Sequence, residues 1–498
     1  MSFMPTSSSR SKWPDLSNGE LPMLFPDIFS IGDLDVQPYQ FERILDLKIV
    51  KNLNEHVTFT LSGIVPEELM DQYVEHADEN EQIEVFITNL LEDVYSERER
   101  LFQGTVTNIS IKAVHGVREL HIEAQSLTSK MDIEKKQRSF QKTEDTYRDL
   151  FNHIASGYTE AKVLDEASNG QYLGELFVQN KETDWEFLKR LASRLHAPLI
   201  PMSTQPGLKL MIGVPEGDTP ITLNEYNYTV KKDLMEHKLK ANNDIPDDLE
   251  ESSISYEVSS YELLELGTPV QFLNKVLYIA SAEIGIDDEV LMGRYILRDR
   301  PSFRNRIIWP YDLSGSSLFG KVIDIMKDQV KIKLDIDQGS EDSGAMWFPY
   351  STVYSSPDGS GWYAMPEVND QIRLYFPNER EQHAFVASSV DLKSSDPAKR
   401  SDPAVKSIST KYGKQIVFRP GAVEIIANGE LLMRMTDDGG VEINSNKKII
   451  MTADEDIEIT GKTKIMIEGK EGVDFVQGGA TVNIKDDVRL TGGKVNIE

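Results

Sequence analysis

Residues 411–498 keep an eight-residue rhythm in which apolar side chains fall two apart and the pair recurs eight residues on. Met433 and Met435 begin it, followed by Val441 and Ile443, Ile449 and Met451, Ile457 and Ile459, Ile465 and Ile467, then Val473 and Phe475. Residues i and i+2 of a strand share a face, so each pair drives two side chains toward one core, while the polar residues between pairs form a corner. A single chain of such units has nowhere to bury so thin an apolar stripe and leaves a row of strand edges open. Three identical chains wound into a triangular prism put the stripes on one axis and give every strand neighbours above and below. The pattern therefore predicts an intertwined, trimeric, triple-stranded β-helix. An antiparallel meander is the competing reading, weakened by the constant unit length over six repeats.

At 498 residues the chain is too long for one core, and the sequence reads as a mainly β, multidomain protein. Residues 1–38 contain Pro5, Pro14, Pro22, Pro26 and Pro38, which break regular elements and predict an extended arm. Alternating and β-branched runs over 39–130 predict a first β-barrel. In 131–200 two helices are expected. The first has Thr143 as N-cap and Tyr147, Leu150, Phe151 and Ile154 on one face; the second is capped by Thr183 or Asp184, turns Trp185, Phe187, Leu188, Leu191 and Leu195 inward, and stops at Pro198. Residues 201–312 again read as strands, among them LIPM, LKLMIGV, YTVKKDLMEHKL and RIIWP. Two barrel-like blocks around a helical segment suggest an internal duplication, although the two cannot be aligned residue by residue. Residues 313–395 predict a five-stranded OB-type barrel, residues 396–410 a linker, and residues 411–498 the β-helical needle.

OB barrels often bind nucleic acid, and that use needs aromatics on a basic groove. Here Trp347, Tyr350, Tyr354, Trp362 and Tyr363 sit among Asp335, Asp337, Glu341 and Asp342, so they are read as packing residues. A net charge of -29 without clustered Lys and Arg argues against direct nucleic-acid binding. Cysteine is absent, which removes disulfides, thiolate metal sites and a Cys nucleophile. The eight histidines lack metal-ligand spacing. Gly461-Lys462-Thr463 ends like a phosphate-binding loop, but Asp456 stands where the first glycine is required. The acidic run Asp454, Glu455 and Asp456 reads as a solvated corner. No cofactor, metal or catalytic constellation is predicted. The first residues lack the apolar core of a signal peptide and no apolar run approaches a membrane span, so assembly in the cytoplasm is expected.

Two further stretches carry a resemblance. FVQNKETDWEFLKRLASRLHAPL places an acidic residue before Trp185-x-Phe187-Leu188-x-Arg190, and GWYAMPEVNDQIRLYFPN runs from a Gly-rich turn with Trp362 through Pro366 and Val368 into a tight turn and a strand. With the octads, and in this order from about residue 40 to 498, they resemble the VgrG and phage hub-spike family of contractile injection systems. That resemblance implies a homotrimer whose hub ring has pseudo-sixfold symmetry and adapts a threefold spike to a hexameric tube. It further implies baseplate partners, transient contact with a target membrane, release within a phage-tail-like particle, and a structural rather than enzymatic role. Some relatives carry a muramidase domain before the needle or a toxic domain after it, and neither is expected here. His383 is the last histidine, so the histidine-ligated iron tip of some phage spikes is not expected and a separate PAAR-like capping protein is. Phage tail, bacteriocin and type VI-type secretion spike remain open, with a wall-degrading tail enzyme and a receptor-binding fibre behind them.

Overall fold

The computed structural model describes residues 28–69, 71–88, 98–217, 219–337, 346–391, 400–491 and 493–494. Its packing divides the chain into two units, Met1–Leu392 and Lys393–Glu498. In chain order the first unit begins β1 (Leu34–Gln37), β2 (Arg43–Asn52), β3 (Thr58–Ile64), α1 (Gln72–His76), β4 (Gln82–Thr88), β5 (Arg98–Val114) and β6 (Val117–Ser126). The middle segment follows: β7 (Lys135–Phe140), α2 (Tyr147–Ala155), β8 (Lys162–Asp165), β9 (Phe177–Thr183), α3 (Asp184–Arg194), β10 (Leu199–Pro201) and β11 (Lys209–Ile212). Next come β12 (Ile221–Thr222), β13 (Tyr228–Lys232), α4 (Leu234–Ala241), β14 (Ile254–Ser260), β15 (Pro269–Phe272), β16 (Lys275–Asp287) and β17 (Val290–Arg298). A five-stranded segment closes the unit with β18 (Ser317–Met326), β19 (Gln329–Leu334), β20 (Trp347–Pro349), β21 (Gln371–Tyr375) and β22 (Phe385–Ser389), hydrogen-bonded in the order β20-β19-β18-β21-β22.

Alternation sets the strands of the first block. Leu47 and Ile49, Phe59 and Leu61, and Ile83 and Val85 each bury two apart along β2, β3 and β4, while their neighbours face outward. Two cores serve these blocks, one around Phe59 and Phe102 that also takes in Ile284 and Leu291 of the second block, the other around Phe272 and Tyr295. Their strands nevertheless run in one twelve-stranded sheet whose main path is β1-β4-β5-β6-β3-β2-β16-β17-β14-β13, joined where β2 pairs with β16.

The registers of this sheet reveal the duplication that the sequence hides. The β5–β6 hairpin turns between Val114 and Val117 and carries a bulge between Val106 and Asn108, opposite Ala124 and Glu123. The β16–β17 hairpin turns between Asp287 and Val290 and carries its bulge between Ile279 and Ser281, opposite Leu297 and Ile296. Counted from these bulges, Ile111 corresponds to Ile284. Across the next strands Phe59 pairs with Ala124 and with Ile49, just as Tyr256 pairs with Leu297 and with Val230. Strands β5, β6, β3 and β2 thus correspond in order to β16, β17, β14 and β13.

Several expectations are corrected. The arm ends earlier than 38, because Leu34–Gln37 forms an edge strand on β4; residues 1–27 lie outside the described residues. The cap of α2 is Thr146 rather than Thr143, since Thr146 and Asp149 close a reciprocal capping box. LIPM and LKLMIGV belong to the middle segment: β11 pairs with β10 and, in parallel, with β8, and Leu199, Leu210 and Ile212 join the core of α2 and α3. YTVKKDLMEHKL is a strand followed by a helix, because the Asp233 side chain accepts from the backbone N–H of Met235 and Glu236 and starts α4. RIIWP forms no strand. The linker is shorter than expected, since Lys406–Ser409 is already a strand.

The second unit comprises β23 (Lys406–Ser409), β24 (Gln415–Arg419), β25 (Ala422–Ala427), β26 (Glu430–Thr436) and β27 (Gly440–Ile443), then β28 (Val473–Gln477), β29 (Ala480–Ile484) and β30 (Val488–Thr491). Each group is an antiparallel meander in chain order. The β25–β26 turn is Asn428-Gly429, with φ of 51° and 81°. This positive-φ pair suits the two-residue hairpin turn whose twist matches its strands.

Candidate functional site

Within the second unit the structure divides the octad series in three. Met433 lies opposite Ile443 and Met435 opposite Val441 in the β26–β27 hairpin, so the first two pairs are antiparallel partners rather than successive walls of a prism. Val473 and Phe475 sit in β28 opposite Ile484 and Val482. The uniform strand-and-corner reading is corrected at both ends: Asn428-Gly429 and the Thr436–Gly440 turn reverse the chain and offer backbone partners locally. Between the meanders, residues 444–472 contain no strand. There Ile449, Met451, Ile457, Ile459, Ile465 and Ile467 are all at least half exposed.

The meanders expose apolar rows as well. Register carries one row across the first sheet through Ile408, Ile416, Ile425, Met433 and Ile443, and a second through Phe418, Val423, Met435 and Val441. Among the described residues of this unit Val417 is the one buried apolar side chain. An apolar face of this extent without a core beneath it marks an association surface. At the corners Lys462, Thr463 and the acids Asp454, Glu455 and Asp456 are exposed, and no group of three or more metal-ligating side chains occurs among the described residues.

In the first unit the motif around Trp185 builds a buried ionic clamp. Thr183 caps α3 by accepting from the Glu186 N–H at 3.1 Å, and Glu186 returns a carboxylate to the Thr183 N–H at 2.9 Å. Trp185, Phe187, Leu188 and Leu191 bury against α2, as the periodicity requires. Asp184 accepts from Lys136 at 2.7 Å, Arg138 at 2.5 Å, Tyr158 at 2.8 Å and Gln179 at 3.0 Å. Burial acts to raise its carboxyl, but Lys136, Arg138, Gln179 and Tyr158 together hold it below the usual aspartate range. Its contribution to stability is therefore present above the ordinary range and lost as pH falls through the lowered folded value. Thr183→Ala should cost about 1 kcal/mol through the lost cap, read as a lower denaturant midpoint with unchanged slope.

The clamp's outer half reaches the five-stranded barrel formed by β18 to β22. Arg190, 1% exposed, donates to Glu182 at 2.8 Å, to the Val178 carbonyl at 2.7 Å and to Glu381 at 3.0 Å. Glu381 is fully buried and also accepts from Arg194 at 3.1 Å and from the Val178 N–H at 2.8 Å. Burial would discharge Arg190, but Glu381 and Glu182 outweigh it and push the guanidinium above its ordinary value. A second barrel carboxylate, Asp337, accepts from the Ser139 N–H at 2.7 Å and its hydroxyl at 2.6 Å. Leu176 and Val178 of the middle segment complete the barrel's core. The sequence motif located α3 but not the partner of Arg190, because Glu381 stands far along the chain and nothing local marks it.

The barrel aromatics differ from expectation. Tyr354, Trp362 and Tyr363 are exposed, Trp347 and Tyr350 only partly buried. The hairpin holding them folds on itself, with Ser355 bridging Gly361 and the Trp362 N–H reaching the Tyr354 carbonyl. Of the motif residues Trp362, Pro366 and Val368, only Pro366 is buried. Asp337 is buried and bonded to Ser139, and Glu341 and Asp342 lie outside the described residues. Trp362→Ala should change stability by less than about 0.5 kcal/mol, measured by chemical denaturation.

A cavity of about 660 Å³ lies between the middle segment and the second block. Its arginines are committed: Arg148 to Asp165 at 3.4 Å, Arg304 to Asp247 at 3.0 Å, and Arg300 to Glu216. No helix of the described residues is long and apolar enough to cross a membrane.

One family model, the Alg8 N-terminal domain, matches residues 93–219. That is roughly a quarter of the chain and does not assign it to that family. No curated protein matches the sequence. Solved structures match over most of the chain. An Escherichia coli protein, c3393, described as a component of the type VI secretion system with structural similarity to the T4 bacteriophage tail proteins gp27 and gp5, aligns with a TM-score of 0.51 at 11% identity, covering 72% of this chain and 99% of its own. A chain of the half-lidded Francisella PdpA-VgrG complex aligns with a TM-score of 0.53 at 10% identity, covering 80% and 83%. A chain of the lidless PdpA-VgrG complex gives 0.51 at 9%, covering 80% and 93%. The likeness is one of fold, shared with the family whose motifs the sequence resembles.

Proposed function

We propose that the protein is the trimeric hub-spike of a contractile phage tail-like particle, capping its tube at the baseplate and piercing the target envelope on sheath contraction. The observation that carries this is the apolar series from Ile449 to Ile467, exposed and without strand partners in its own chain, on a polypeptide whose other unit has a hub fold. Intertwining three copies supplies the missing partners and the missing core together. Each octad then adds one strand layer, about 4.8 Å along the axis. Residues 444–472 allow three full octads, a rod of about 15 Å at that spacing, where eleven octads from residue 411 would have given about 50 Å. Such a rod is shorter than the roughly 30 Å apolar core of a bilayer, so the flanking meanders and the tube must follow it through.

The reading assigns no catalysis to the chain. Its work comes from a contracting partner that pushes on the hub through a hexameric tube, with baseplate proteins around it and a PAAR-like protein on the tip. A secretion spike that carries a second protein is the alternative, favoured by the likeness to a chain of the PdpA-VgrG complex. Electron microscopy of the assembled particle tests the proposal. The protein should occupy the distal end of the tube within the baseplate, repeat tail outward; density on peripheral fibres would contradict it.

A further inference from the structure

A groove of about 380 Å³ opens beside the start of α3, and lysines from three elements line it. Lys135 of β7, Lys181 of β9 and Lys189 of α3 all reach it, and none of the three has an ion-pair partner among the described residues. Of the lining carboxylates, Glu182 is taken by Arg190 at 2.8 Å and Glu186 is turned back onto the Thr183 N–H at 2.9 Å. Among the described lining residues Asp312 is the carboxylate left over. On a chain of net charge -29 this local surplus of cations favours negative charge brought from outside.

Backbone strain marks one of these lysines. The β7–β9 ladder slips by one residue where Lys136 faces Glu182 and Gln137 faces Asn180, so Lys181 is a bulge without a partner, and its φ of 57° lies in the left-handed region. Glycine takes that conformation freely and lysine does not. A bulge re-aims its side chain, so the lysine here serves through its amine and against its backbone. The groove's other wall, residues 308–313, is apolar: Ile308 is 44% and Tyr311 70% exposed. Trp309 between them is held by the guanidinium of Arg194, 3.9 Å from its ring centre, and by that of Arg380 at 5.1 Å.

We propose that this groove binds an extended acidic segment of a partner protein, its carboxylates on Lys135, Lys181 and Lys189 and its apolar side chains against Ile308, Trp309 and Tyr311. Successive side chains of an extended peptide point to opposite sides, so a segment alternating acidic and apolar residues addresses both walls at once. A small inorganic anion would leave the apolar wall uncovered, and a flat bilayer does not enter a concave site. Every residue named lies in the first unit of one chain, so the site does not depend on the trimeric spike.

Fluorescence anisotropy with the full-length protein tests it, using a labelled peptide of alternating glutamate and leucine, its glutamine–leucine and glutamate–serine counterparts, and pyrophosphate as competitor. The glutamate–leucine peptide should bind and the other two should not, and binding should weaken with added salt. Lys181→Gly combined with Lys189→Gln should lower its affinity about tenfold, since two charge contacts are lost, whereas Lys447→Gln in the second unit should leave it unchanged. Lys181→Gly alone should weaken binding while holding or raising the denaturant midpoint, because it relieves the left-handed residue. A lower midpoint for that variant would assign Lys181 a structural role and overturn the proposal. So would absence of peptide binding, binding indifferent to the lysine changes, or equal binding of the glutamate–serine peptide with full displacement by pyrophosphate, which would mark a site for small anions.

Discussion

Ile457→Asp, or Ile465→Asp, is expected to abolish the heat- and detergent-resistant assembly of the repeat tail. Both side chains are half exposed in the single chain, so neither substitution should disturb the fold of residues 28–391. In an intertwined trimer the same position recurs three times around one dry axis. Three carboxylates would meet there, and the penalty for one buried, unpaired ion is several kcal/mol. The exposed corner change Lys462→Asp supplies the control and should leave assembly intact. Detergent-gel mobility and thermal unfolding read the difference. If the Ile457 variant resists heat and detergent as the parent does, the inward assignment of the Ile449–Ile467 stripe is wrong.

Arg190→Ala should destabilise the first unit by about 3–5 kcal/mol, since it strands the fully buried Glu381 without its closest cation. Glu381→Ala should cost a similar amount by leaving Arg190 and the Val178 N–H underserved. A double-mutant cycle between the two should return a coupling of about 0.5–3 kcal/mol, with limited proteolysis cutting first at the barrel's junction with the middle segment. Additive losses would show that the clamp's charges act independently and that apolar packing around Leu176 and Val178 alone seats the barrel.

Where a feature was legible from the sequence, its cause was local. The face of α2 and the face of α3 with Trp185, Phe187 and Leu188 follow from side-chain periodicity and are buried, and of the two caps the sequence offered, Thr183 and Asp184, the structure uses Thr183. Where it was not, long-range pairing decided. The duplication was visible only as alternation of β and α segments, because Ile111 and Ile284 are among the few matching side chains and the common bulge leaves no sequence mark. Glu381 lies 191 residues from Arg190. The octads could be counted, but the spacing of a pair eight residues on is shared by a prism wall and by a hairpin with a short turn, so Met433, Met435, Val441 and Ile443 fitted both. Trp362 was assigned to packing from residue type and Val368 from the motif it belongs to, and both are exposed, Trp362 on a hairpin that turns it to solvent.

The mass of the intact full-length protein in solution at micromolar concentration tests the central claim most directly. The account predicts a species of three chains, persisting on dilution because its stripe has no other core. A folded monomer at that concentration, with the 444–472 series still exposed, would contradict it.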